Sequence, residues 1–171
     1  MAVAVILCAC ATPPSGRYQF ALAARDVQSS RVWSLDSLPR RGRIHLTAHT
    51  HDEAHPRQGT HVVVKFLESG VFPRAELDMN DPGCQGAYSF SLDHSTTGSI
   101  FETDYFDRRL PWGAPLEIRA EWWPDGRLQI EIGDVGKKVL DLRGAVRAFE
   151  IRLLSGDLQV DDLDYENLSS S

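Results

Sequence analysis

The sequence predicts an all-β fold, a two-sheet antiparallel β-sandwich, on three observations. Short segments alternate apolar and polar side chains with the period of two that marks a strand with one buried face. Turn signals built on Gly, Pro and Asp recur about every ten to fifteen residues, the spacing of a sandwich or jelly roll. No segment carries a helical stripe of about twelve residues. At 171 residues, the chain can bury about 68 to 70 per cent of its unfolded surface in one core, so no disulfide or metal is required to hold it.

The elements follow in order. Residues 1–16 are apolar from Met1 to Ala11 and then break at Pro13-Pro14. That run is too short to span a bilayer and is similar to the core of a secretory signal, although no Lys or Arg precedes it. Residues 17–24 (RYQFALAA) and 31–35 (RVWSL) read as the first two strands, and Pro39-Arg40-Arg41-Gly42 as a turn. In residues 43–50, Ile44, Leu46 and Ala48 point inward and His45, Thr47 and His49 outward. Residues 60–67 place Val62, Val64 and Phe66 on one face. Residues 74–79 place Ala75, Leu77 and Met79 inward, leaving Arg74, Glu76 and Asp78 in an outward row. Residues 86–92 and 99–106 are further strands, and 110–115 (LPWGAP) is a connection.

The C-terminal third states its own register. Leu116, Ile118, Ala120 and Trp122 alternate with Glu117, Arg119, Glu121 and Trp123, and Leu128, Ile130 and Ile132 repeat the pattern. Between them, Pro124-Asp125-Gly126 has the chemistry of a three-residue hairpin loop with Gly in the positive-φ position. That loop sets Trp123 opposite Arg127, Trp122 opposite Leu128, Ala120 opposite Ile130, Ile118 opposite Ile132 and Arg119 opposite Glu131. A second hairpin is expected around Gly156-Asp157, pairing Leu153 with Val160 and Arg152 with Asp161. Beyond Val160 the alternation slips, which predicts a bulge at Asp161-Asp162. The domain therefore spans 17–168, and 169–171 form a frayed tail.

Two resemblances can now be stated. Leu7-Cys8-Ala9-Cys10 resembles a bacterial lipobox, which implies lipidation at Cys10 and an anchored or secreted protein of the cell envelope. The run from Tyr105 to Glu166, with its Trp-rich strand, D-G hairpin and closing SGDLQVDDLDYE, is similar to the concanavalin A-like lectin and glucanase jelly rolls. That superfamily includes lectins, glycoside hydrolases and polysaccharide lyases, so the resemblance implies a fold and leaves the function to the site.

Four constellations could carry chemistry. Arg74-Ala75-Glu76-Leu77-Asp78 resembles the R-[ST]-E-L-R strand of alginate-lyase-like jelly rolls and, more loosely, the E-x-D-x-x-E strand of laminarinase-like hydrolases. The resemblance implies catalytic Glu76 and Asp78 with Arg74 orienting an acidic sugar. Asp78 stands where the lyases have a second Arg, and Gln129-Ile130-Glu131 lacks the histidine of their Q-[IV]-H strand. The other account of this row is a solvated charged face. Trp123, Trp112 and Tyr105 could stack on sugar rings, with Glu121, Arg127 and Gln129 around Trp123 to bind hydroxyls. The alternative is a Trp that covers its turn. His49 and His51, beside Asp52, Glu53 and His55, are weak candidates for a transition metal. Asp161 and Asp162 are weak candidates for calcium, an ion common in lectin-like sandwiches.

Composition removes other classes. The net charge of −6 argues against a general nucleic-acid binder. Two of the three cysteines lie in the leader, so Cys84 alone remains in the domain as a thiol tucked in a turn. The sequence is read as a non-catalytic carbohydrate-binding module, with a glycan or another envelope component as partner and no cofactor. The alternatives are a divergent polysaccharide lyase or glycoside hydrolase, and a structural lipoprotein that docks a protein at a sheet edge.

Overall fold

A computed structural model of the chain describes residues 15–24, 30–50, 59–69, 72–80, 86–94, 102–142 and 144–169, with residues 69 and 72–74 described by backbone alone. The leader with Cys10, the loop holding His51, and Cys84 lie outside the described residues. All regular structure among the described residues is strand. The strands are β1 (Gly16–Ala24), β2 (Arg31–Leu35), β3 (Gly42–Thr50), β4 (His61–Ser69), β5 (Phe72–Asn80) and β6 (Ala87–His94). They continue with β7 (Glu102–Tyr105), β8 (Leu110–Pro111), β9 (Leu116–Trp122), β10 (Arg127–Ile132), β11 (Gly136–Asp141) and β12 (Ala148–Asn167).

One antiparallel ribbon runs β11-β10-β9-β3-β12-β4-β5-β6-β7. It doubles over because β12, 20 residues long, belongs to both layers. The first half of β12 pairs with β4 and β2, from Ala148 opposite Leu67 to Ser155 opposite His61. Its second half pairs with β3 and β1, from Leu158 opposite Thr50 to Asn167 opposite Gly42. Sheet I is therefore β11-β10-β9-β3-β12-β1, and sheet II is β2-β12-β4-β5-β6-β7. The expected two-sheet sandwich forms, and β12 joins its layers.

The expected second hairpin does not form. Gly156 does take a positive φ, +83°, but it bends a continuous strand instead of reversing it. Leu153 pairs with Val62 and Arg31, and Val160 with Ala48 and Phe20. A Cβ on Gly156 would lie 2.4 Å from Thr60 Oγ1 and 2.8 Å from Thr60 Cα, so the bend brings β12 against the residue preceding β4.

The bulge is where the slipped alternation put it. Opposite β3, Val160 pairs with Ala48 and Asp162 with Thr47, which leaves Asp161 as the extra residue. After that insertion Leu163 and Tyr165 point inward and are buried. The first hairpin adopts the expected register in full, with Gly126 at φ +89° and the Trp123 amide donating to the Arg127 carbonyl at 2.9 Å. Two strands had no counterpart in the sequence reading, β11 and the two-residue β8 within the expected 110–115 connection.

Inward residues of both sheets form one core, among them Ile44, Leu46, Ile118, Trp122, Leu163, Val64, Phe66, Leu77, Phe90 and Ile151. Each large side chain removed from water contributes about 1.5 to 3 kcal/mol. Trp122 is fully buried, donates its indole N–H to the Pro39 carbonyl at 3.0 Å and stacks parallel to Tyr165. At the β1 and β2 edges, Trp33 stacks on Phe20 at 4.8 Å and meets Phe149 edge-on, closing that side of the sandwich. Thr50 of sheet I and Tyr88 of sheet II share a hydrogen bond of 2.9 Å across the interior.

Candidate functional site

The outer face of sheet II is assembled by the β4–β5–β6–β7 meander, because inward Val62, Val64, Ala75, Leu77, Met79, Phe90 and Leu92 force their neighbours outward. Cross-strand pairing orders the outward side chains into rows. One row reads Glu150, Lys65, Glu76, Asp93, Thr103. The next reads Arg152, Val63, Asp78, Ser91, Tyr105.

Within these rows the polar groups are already oriented. Lys65 Nζ donates to Glu76 Oε1 at 2.8 Å, and the two side chains are 21% and 23% exposed. His61 Nε2 and Asp78 Oδ2 lie 2.8 Å apart at 27% and 29% exposure. The Thr103 hydroxyl donates to Asp93, and Ser89 Oγ to the Asn80 carbonyl at 3.1 Å. Such half-buried, pre-aimed groups lose little side-chain entropy when a ligand engages them. An ionised carboxylate offers about four lone-pair sites, so Asp78 and Glu76 keep acceptor capacity beyond their single partners.

At the end of the second row stands Tyr105, 71% exposed. It pairs with Ser91, which pairs with Asp78, so the two residues stand two strand spacings apart along the sheet, about 10 Å. An exposed phenol and carboxylate acceptors on one face are groups that a sugar ring and its hydroxyls can engage.

The structure divides the sequence-derived candidates between two faces. Glu76, Asp78 and Tyr105 share the outer face of sheet II, and Arg74 belongs to the same strand, with its side chain outside the described residues. Glu121, Gln129 and Arg127 project from sheet I, and Trp123 stands beside them at the hairpin. There the Arg127 guanidinium lies over the Trp123 ring at 4.1 Å, and Arg41 binds Glu121 at 3.1 Å. Trp123 thus has one face occupied by its own hairpin partner. Trp112 is half-buried against the core near the end of β8, and its indole N–H is shielded from solvent without a partner. The six expected sugar-binding residues therefore do not line one surface.

The acidic and histidine candidates have local partners. His49 bonds to Asp161. Asp162 receives both arms of the Arg17 guanidinium, at 2.5 and 2.6 Å. That bond, with its charge, holds the Asp162 carboxyl below its ordinary range and raises Arg17. Hydrogen bonding to Glu166 likewise raises Arg43. Burial, with a smaller contribution from Tyr18, pushes the Tyr165 phenol up to about 12. Among the described residues no group of three or more His, Cys, Asp or Glu side chains is placed to hold a metal ion.

Sequence reasoning did not single out His61, Lys65, Ser91, Asp93 or Thr103. Their outward direction follows from strand alternation. Their meeting depends on the β4–β5 and β6–β7 registers. Gly70-Val71, the two residues between Ser69 and Phe72, carry the Gly-first pattern of a two-residue hairpin that the sequence reading passed over, whereas the longer β6–β7 connection carries no such signal.

No protein-family model and no curated protein matches the sequence. Solved structures do resemble the fold. The CBM2 module of the evolved Dit protein of Lactobacillus casei BL23 phage J-1 superposes with a TM-score of 0.62 at 11% identity, covering 94% of this chain and 81% of that one. A tetrameric galectin from the ball sponge Cinachyrella sp. gives 0.59 at 15% identity, over 78% and 97%. An alginate lyase from Alteromonas sp. 272 gives 0.53 at 8% identity, over 74% and 72%. The fold is thus the concanavalin A-like jelly roll, and at these identities the likeness concerns the fold alone.

Proposed function

We propose that this chain is a non-catalytic carbohydrate-binding module that engages glycan on the outer face of sheet II. One observation carries the reading: the exposed Tyr105 ring shares a cross-strand row with Ser91 and Asp78, beside the oriented Lys65–Glu76 and His61–Asp78 pairs. Galectins and a CBM2 module among the similar folds support the same class of ligand. The module acts at the bacterial cell envelope, either lipid-anchored through Cys10 or secreted, a placement that rests on the lipobox-like leader.

A second reading is favoured by one contact. A histidine held by a carboxylate, as His61 is by Asp78, is the arrangement of a general base. A polysaccharide lyase or glycoside hydrolase would use it on the same face. A glycan array on the full chain, with Tyr105→Ala and Asp78→Asn beside it and product analysis on each hit, decides between the two. Binding that both variants weaken, without cleavage, supports the module. Cleavage abolished by Asp78→Asn establishes the enzyme, and a wild-type chain that binds no glycan overturns both.

A further inference from the structure

The opposite face of the sandwich holds a second polar surface with a different character. On sheet I the outward side chains form a row of mixed charge, Lys137, Glu131, Arg119, His45, Asp164, Arg17, each opposite the next across the strands. Beside it run Glu121, Arg43 and Glu166. Two depressions adjoin here and share Arg119. One, of 390 Å³, is lined by Arg43, His45, Arg119, Asp164 and Glu166. The other, of 220 Å³, is lined by Glu117, Arg119, Glu131, Gly133 and Asp134. Together they make a groove crossing from β12 to β10, three strand spacings or about 14 Å.

Some charges on this face have partners that hold them. Arg43 is bonded to Glu166, and Arg17 lies on Asp162 with Asp164 at 3.7 Å. Two groups lining the groove stand apart. His45 Nε2 is shielded from solvent and has no hydrogen-bond partner. Among the described residues Arg119, 58% exposed, reaches only Glu131, at 3.9 Å, beyond hydrogen-bond range. A shielded ring nitrogen without a partner costs free energy until a ligand or a neighbour satisfies it, and an exposed arginine can turn its planar fork to a carboxylate with little to give up.

We propose that this groove is a second saccharide site, taking a uronic acid joined to a neutral sugar. The uronate carboxylate accepts from Arg119 in the 390 Å³ half, beside the His45 ring. The neighbouring neutral unit donates its hydroxyls to Glu117, Glu131 and Asp134, whose charge excludes a second carboxylate from that half. The two faces of the module then bind independently, which allows one chain to bridge two glycans.

The test is an NMR titration of the full chain with a hyaluronan tetrasaccharide, which alternates uronate and N-acetylhexosamine. Its carboxyl-reduced form and a polyglutamate peptide serve as controls. The proposal expects shift changes centred on His45, Arg119 and Asp164, and at least tenfold weaker binding both for Arg119→Ala and for the carboxyl-reduced sugar. Arg119→Lys keeps the charge but not the fork, and is expected to recover only part of the affinity. Thermal midpoints of both variants within a few degrees of wild type confirm that the fold is kept. Absence of binding, undiminished binding by Arg119→Ala, or equal affinity for the reduced sugar or for polyglutamate overturns it. Shift changes centred on Tyr105 and Asp78 also overturn it, while supporting the sheet II site. Binding of other glycans that Tyr105→Ala weakens, with no tetrasaccharide binding on sheet I, leaves that earlier reading intact and removes this one.

Discussion

Replacing Gly156 by Ala probes the joint that makes one ribbon into two sheets. At φ +83° an L-residue costs about 1 to 2 kcal/mol from its Cβ alone. The new Cβ would also sit 2.4 Å from Thr60 Oγ1 and 2.8 Å from Thr60 Cα. The second contact is with backbone, so the start of β4 must move, and overpacking of this kind costs about 1 to 3 kcal/mol. The sum is about 2 to 5 kcal/mol. At roughly 2 to 4 °C per kcal/mol for a chain of this size, the thermal midpoint falls by roughly 4 to 20 °C. Calorimetry with urea unfolding measures both quantities. Thr60→Ala in the same chain removes the hydroxyl but not Cα, so the double variant regains part of the loss, and the two sites couple. A Gly156→Ala change under about 0.5 kcal/mol, or additive behaviour with Thr60→Ala, would refute a strand bent over Thr60.

Further outcomes follow from single contacts. Trp122→Ala removes a fully buried indole and is expected to cost about 3 to 5 kcal/mol, whereas Trp122→Phe strands the Pro39 carbonyl for about 1 to 3; urea midpoints check both. Tyr165 Oη is buried without a partner, so Tyr165→Phe is expected to be neutral or to stabilise by about 1 kcal/mol, and a loss larger than that contradicts the assignment. Because the folded phenol value is raised to about 12 from an ordinary 10.0, its contribution is complete below pH 10.0 and is lost as pH rises toward 12; ultraviolet titration and alkaline melts of wild type against Tyr165→Phe report it. Asp162 runs the other way, since Arg17 depresses its carboxyl below the ordinary 3.8. Its stabilisation is present above that value and lost as pH falls through the lower folded one, so the gap in melting temperature between wild type and Asp162→Asn is expected to hold near neutrality and close in acid.

Much of the fold is legible where local chemistry decides it. Pro124-Asp125-Gly126 fixes one hairpin register, and the apolar positions on both sides agree with it at every pair. The bulge at Asp161 is legible because Leu158 and Val160 demand one face and Leu163 and Tyr165 the other, and one inserted residue satisfies all four. Gly156-Asp157 misleads because a positive φ serves a turn and a bend equally well. Only the partners of β12, two different pairs for its two halves, tell them apart. β11 escapes notice because it is an edge strand in which Leu140 alone is buried and Val139 is exposed, so its alternation is faint.

The candidate site is legible by residue and not by assembly. Alternation places Glu76 and Asp78 outward, and composition makes Tyr105 a sugar-stacking candidate. Nothing local says that β7 lies two strands from β5. Trp123 attracts notice for the opposite reason, since its polar neighbours in sequence are the groups that occupy it in the structure, Arg127 above all.

The most direct measurement compares two aromatic truncations on opposite faces, Tyr105→Ala and Trp123→Ala, by calorimetric titration of the full chain with the strongest array ligand. Binding on sheet II predicts that Tyr105→Ala weakens affinity at least tenfold, roughly 1.4 kcal/mol, while Trp123→Ala stays within about twofold. Loss of affinity with Trp123→Ala and none with Tyr105→Ala would contradict the account and move the glycan to the β9–β10 hairpin.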